Sequence, residues 1–120
     1  MGQYRKKIGH FGENLARNFL QDRGYVFVSS NQKIGCGELD LIMKQREEYV
    51  FVEVKTIASQ ILGPAAEALT RRQINQLKKT LRIYCRQNRI NIESTRLDLI
   101  AINLNRIKKI AKLRHFKNIY

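Results

Sequence analysis

Apolar side chains recur at three- and four-residue intervals through Ile8, Phe11, Leu15, Ala16, Phe19 and Leu20, the spacing of one helical face, and Gly24 follows as a stop. This predicts an amphipathic helix over residues 8–23. "YVFVSS", residues 25–30, is β-branched and aromatic and predicts a strand; "NQKIGCG" after it has turn chemistry. Two alternating runs follow. "ELDLIMK" sets Leu39 and Leu41 on one face against Glu38, Asp40 and Ile42, and "YVFVEVKT" sets Val50, Val52 and Val54 against Phe51, Glu53 and Lys55. Pro64 and the long stretch after it, with Leu69, Gln73, Leu77, Leu81 and Tyr84 in register, predict a second helix. "TRLDLIAIN", residues 95–103, predicts a fourth strand. The tail is ambiguous, because Ile107, Ile110, Leu113 and Phe116 sit three apart, which suits a helical turn better than alternation.

The pattern is therefore helix, three-strand meander, helix, strand: an α/β chain with helices on a small mixed sheet. Its 120 residues are the size of one domain with one core, residues 1–120, and no linker is visible. No apolar run approaches the roughly 20 residues that span a bilayer, and the first residues lack the apolar stretch of a signal peptide, so a cytoplasmic protein without membrane contact is expected. Cys36 and Cys85 have no metal-ligand spacing and are read as free thiols; no glycine-rich phosphate loop suggests an organic cofactor.

Charge changes the picture. Residues 1–70 carry nine Lys/Arg against eight Asp/Glu, and residues 71–120 carry fourteen against two, so the net +13 lies almost wholly in the second part. Such a surface attracts polyanions by releasing the counterions condensed on phosphate backbones. A basic surface serving solubility alone, or association with RNA, ribosomes or a membrane surface, is the competing reading. On the second helix Arg71, Arg72, Lys78, Lys79 and Arg82 are the candidate phosphate contacts, joined by the cations of the tail.

The acids on the two strands raise a different question. If Lys44 faces Tyr49 across a hairpin, Asp40 lies opposite Glu53 and Glu38 opposite Lys55, with Cβ atoms roughly 4.5–5.5 Å apart, where like charges repel. A cation would compensate. Hard oxygen ligands suit Mg²⁺ or Mn²⁺, which keep waters and so leave room for a phosphate oxygen and an attacking water. Lys55, on the same face as Glu53, would position that water or offset phosphate charge. The shared face is then a site, with the core on the other. Alternatively Lys55 pairs with Glu38 or Glu53 as a salt bridge, and the acids face water on an uncovered sheet.

"GELDLIM" and "VFVEVKT", preceded by "GHFGENLARNFLQDRGYVFVSSN" and followed by "GPAAEALTRRQINQLKK" and "RLDLIAI", resemble the YraN family of small, mostly uncharacterised bacterial proteins. That family is similar to the restriction-endonuclease-like PD-(D/E)xK superfamily, which includes archaeal Holliday junction resolvases. The resemblance implies a restriction-endonuclease-like core and a Mg²⁺- or Mn²⁺-dependent nuclease acting on DNA, selective for branches or ends. It makes Asp40 and Glu53 metal ligands and Lys55 the catalytic lysine. It adds Glu13 from the first helix as a further ligand, whose other reading is surface pairing with Arg17. Glu38 and Glu67 match family acids of lesser role, and Glu67 is favourable at a helix start regardless. Gln73 stands where a basic residue is common; it either touches substrate or metal-bound water or is a neutral helix position. Resolvase-like chemistry needs two sites, hence a homodimer, and the resemblance favours a strand in the tail. A non-catalytic nucleic-acid-binding protein of the same fold is the alternative, because fold does not fix function.

Overall fold

A computed structural model describes residues 2–58 and 69–120. Helix α1 (Gly2–Asp22) leads into a meander of β1 (Val26–Ile34), β2 (Gly37–Gln45) and β3 (Glu48–Ala58); helix α2 (Arg71–Gln87) then connects to β4 (Thr95–Asn105) and β5 (Ile110–Phe116). The five strands form one sheet in the order β1-β2-β3-β4-β5, with β3 and β4 parallel and the other pairs antiparallel. This is the mixed α/β architecture the pattern predicts, with one strand more. Among the described residues no helix is long and apolar enough to cross a membrane.

α1 ends because Gly24 takes a left-handed conformation at φ +88, which lets the N–H groups of Gly24 and Tyr25 close back onto the carbonyls of Gln21 and Leu20. α2 does not run from Pro64 as expected. Thr70 is its N-cap: the Thr70 hydroxyl accepts from the Gln73 N–H at 3.1 Å while the Gln73 side chain accepts from the Thr70 N–H at 2.8 Å, and this capping box fixes the start at Arg71. Pro64 itself lies outside the described residues.

Both faces of the sheet are buried, which corrects the expectation of one core opposite the acids. On one face Ala16 and Leu20 of α1 pack with Leu41, Met43, Val50, Val52, Ile100 and Ile102; on the other Leu77, Leu81 and Cys85 of α2 pack with Leu39, Ile42, Phe51 and Leu97. Phe51, on the same parity as Glu53, is fully buried, a side chain whose burial contributes about 2–3 kcal/mol. Leu39 and Leu41 fall in opposite layers although two residues apart. The alternation of β2 therefore slips between them, at Asp40.

The tail is a strand. Leu113 opposes Ile102 and His115 opposes Ile100, so pairing with β4 decides its conformation, while Ile107 at 70% and Ile110 at 48% exposure bury no helical face.

Candidate active site

The slip in β2 is the centre of the site. The β2–β3 ladder runs from Gln45 opposite Glu48, through Lys44 opposite Tyr49 as the hairpin reading requires, to Leu41 opposite Val52, and stops there. Beyond it the Asp40 carboxylate accepts a hydrogen bond from the Val54 backbone N–H at 3.0 Å, taking the place of a strand partner. On the other side, Ser30 opposes Leu41 and Gln32 opposes Leu39, so Asn31 falls across from Asp40, and it sits at φ +51, left-handed. Asn is among the few residues that adopt this conformation readily. β2 thus loses its regular pairing on both sides in one row, at Asp40 between Asn31 and Glu53.

The Glu53 carboxyl lies beside that of Asp40. Burial, then the contact with and charge of Asp40, push the Glu53 carboxyl up to about 9, while Lys55 pulls weakly the other way. Near neutral pH Glu53 therefore keeps its proton. Lys55 is half-buried and interacts with Glu53, but it forms no ion pair among the described residues. Glu38 is exposed and opposes Lys33 of β1, so the expected Glu38–Lys55 pairing is not formed: the ladder that would create it ends three residues earlier.

Glu13 reaches the same region from α1. Its carboxyl is raised above the ordinary range by burial and by Asp40, with the Asn31 side-chain hydrogen bond and His10 acting in the opposite sense. His10 Nδ1 lies 3.9 Å from Glu13 Oε1. The alternative pairing with Arg17 is not found; the Arg17 guanidinium stacks on Phe27 at 3.5 Å. What brings Glu13 so close is Gly12, where a Cβ would overlap the Thr56 side chain of β3. Helix and strand approach only because that side chain is absent.

The donors converging here are carboxylate oxygens, the set that suits a hard divalent ion, and the proton that Glu53 keeps is one that such an ion would replace. Among the described residues no three metal-ligating side chains stand close enough to enclose an ion. Asp40 and Glu53 are the nearest pair, and Glu13 joins through its charge alone. Glu67 lies outside the described residues. Gln73 is the exposed capping residue of α2, and Arg71, Arg72, Lys79 and Arg82 lie exposed on that helix, with Lys78 set 4.9 Å from the Tyr120 ring.

Two features escape the sequence pattern. Asn31 and His10 border the acids, and the sole signal for Asn31 is the tolerance of Asn for positive φ. The other is a polar cluster near the start of β4: Asp98, fully buried, accepts from Arg96 Nε at 2.8 Å and from the Asn118 N–H at 2.9 Å, and meets His115 Nε2 at 2.7 Å. Arg96 also donates to Tyr25 and Glu48. Burial alone would raise Asp98, yet the hydrogen bonds from His115, Arg96 and Asn118 outweigh it and hold the carboxyl below its ordinary value.

The pattern of Uncharacterised protein family UPF0102 matches residues 12–102, from the glycine beside Glu13 to the middle of β4. The chain belongs to this family. UPF0102 relatives include a protein of Clostridium botulinum strain Loch Maree, 34% identical over 116 residues that cover 96% of this chain and 94% of the relative. Another, from Shewanella sediminis, is 39% identical over 100 residues, covering 83% and 85%. The UPF0102 match spans the full β2–β3 hairpin, α2 and α1 from Gly12 onward, so Glu13, Asp40, Glu53 and Lys55 lie inside the family's common region.

Proposed function

We propose that this chain is a metal-dependent nuclease that cleaves DNA phosphodiester bonds, selective for branched structures or ends, in the manner the resemblance to resolvases implies. The observation that carries the reading is the Asp40–Glu53 pair, two carboxyls forced together in a broken ladder with Lys55 following on the same strand face.

Mg²⁺ or Mn²⁺, when bound, supplies Lewis acidity to the scissile phosphate and a water of lowered pKa. Asp40, anchored by the Val54 N–H, offers its carboxylate as a fixed ligand, and Glu53 becomes a second on giving up its proton. Lys55 holds the nucleophilic water or a non-bridging phosphate oxygen and offsets charge as the phosphorane develops. Glu13, steadied by Asn31, adds negative charge from the α1 side and accepts a proton or a water hydrogen bond. Because phosphate contacts carry no base information, selectivity rests on shape, and paired incisions call for a homodimer.

One observation favours a second reading, a non-catalytic nucleic-acid-binding protein: among the described residues no three metal-ligating side chains converge. Incubating the protein with labelled single-stranded, duplex, flap and four-way-junction DNA, with Mg²⁺, Mn²⁺ or chelator, separates the two. Metal-dependent cleavage lost in Glu53→Gln and Lys55→Ala supports the nuclease. Binding without cleavage in any metal supports the second reading.

A further inference from the structure

The ladders from β3 through β4 to β5 run without interruption, so residues in one row point to one face. Three rows follow from the register: Glu53, Leu99 and Phe116; Lys55, Ala101 and Arg114; Ile57, Asn103 and Lys112. The face that carries Glu53 and Lys55 therefore continues onto the exposed cations Arg114 and Lys112 of the edge strand. With strands ~5 Å apart, Arg114 stands about 10 Å from Lys55 in its own row.

The next row leads into a cavity of about 120 Å³ lined by Asn103, Asn105, Lys108, Ile110 and Lys112. This is room for about four waters, or for one phosphodiester group. The Asn105 carboxamide oxygen accepts from the backbone N–H groups of Ile107 and Lys108, which builds the β4–β5 turn and leaves the amide N–H donors as the group's remaining capacity. Two ammonium groups with amide donors form an anion-seeking lining. From Glu53 this cavity is four residues along and two strands across, ~15 Å.

Lysines on an edge strand also serve to prevent sheet-to-sheet aggregation. That explanation predicts the same at the opposite edge, yet β1, the longer edge strand, has Lys33 as its one cation and exposes Val26 and Val28, whereas β5 carries Lys112 and Arg114 and is flanked by Arg106, Lys108, Lys109 and Lys117. The cations are concentrated on the edge that shares its face with the acids.

We infer that β5 and the β4–β5 turn form the track that holds the nucleic-acid backbone beside the reactive phosphate, with the Asn105–Lys108–Lys112 cavity as a phosphate subsite ~15 Å away. This rests on the nuclease reading and assigns its substrate contacts to β5 rather than to α2.

The test is the salt dependence of affinity for labelled four-way-junction and duplex DNA, in chelator, for the wild type, Lys112→Ala/Arg114→Ala, Lys108→Ala and Arg46→Asn. The last removes a cation from the β2–β3 turn at the far end of the sheet, with a residue that tolerates its φ of +57. The slope of log affinity against log salt is expected to fall by about 2 in the double variant and about 1 in Lys108→Ala, and to change least in Arg46→Asn. Salt-dependent binding by the wild type with an unchanged slope in the β5 variants overturns this inference alone. An equal loss in Arg46→Asn also overturns it, by showing diffuse attraction, and a wild type that binds no DNA overturns both this inference and the nuclease reading.

Discussion

The Asp40 carboxylate takes the hydrogen bond of the Val54 N–H at 3.0 Å, so one side chain both closes a gap in the sheet and stands beside Glu53. The two roles separate by substitution. Asp40→Ala leaves the Val54 N–H without its acceptor and is expected to lower stability by about 1–3 kcal/mol. Asp40→Asn retains an acceptor and should unfold in urea close to the wild type, while losing metal-dependent activity at least a hundredfold.

Glu53 carries the opposite kind of stability effect. Its folded-state pKa, about 9, lies above the unfolded value near 4.5, so the folded state binds more protons between these limits and stability falls as pH rises through that window. In chelator, Glu53→Gln is expected to flatten the decline and to melt higher than the wild type at pH 8, by roughly 5 °C. Thermal melts at pH 5, 7 and 9 check the sign; a variant that melts lower at pH 8 would contradict a protonated Glu53.

Contact between α1 and β3 depends on Gly12. Gly12→Ala forces a methyl group into Thr56 and is expected to cost about 1–3 kcal/mol and to move Glu13 away from the acids. The Thr56 hydroxyl is buried with no hydrogen-bond partner among the described residues. Thr56→Val should therefore be neutral or stabilising, read as an unchanged or raised denaturation midpoint.

Asp98 tests the fold away from the site. Its pKa is depressed in the folded state, so its contribution is present above the unfolded value near 3.8 and is lost as pH falls through the folded one. Asp98→Asn should cost about 3–5 kcal/mol at pH 7, because Arg96 and His115 keep their burial and lose a charged partner. The difference from the wild type should shrink in melts below pH 4.

Much of this was legible in the residues. A hairpin with Lys44 facing Tyr49, the closure considered for "ELDLIMK" and "YVFVEVKT", is the one the structure shows as far as Leu41 and Val52, and the helical spacing of Leu15, Ala16, Phe19 and Leu20 finds the buried face of α1. Period-two reading fails at Asp40, because a slip is a property of three strands at once and leaves no mark in one of them. It also hides the second core, since a strand buried on both faces needs acids only at its end. The apolar spacing of Ile107, Ile110, Leu113 and Phe116 mimics a helix by chance of composition; the ladder with β4 overrules it. The helix start at Thr70 was visible as Thr-Arg-Arg-Gln, the capping-box spacing, but Pro64 offered a competing start.

The central claim is that Glu53, beside Asp40, exchanges its proton for a divalent ion held by the two carboxylates. Calorimetric titration of Mn²⁺ into the protein at pH 7, in buffers of different ionisation enthalpy, measures that exchange directly. The account predicts binding that releases close to one proton per ion and is abolished in Glu53→Gln. Binding without proton release, or binding that persists in the variant, would contradict it.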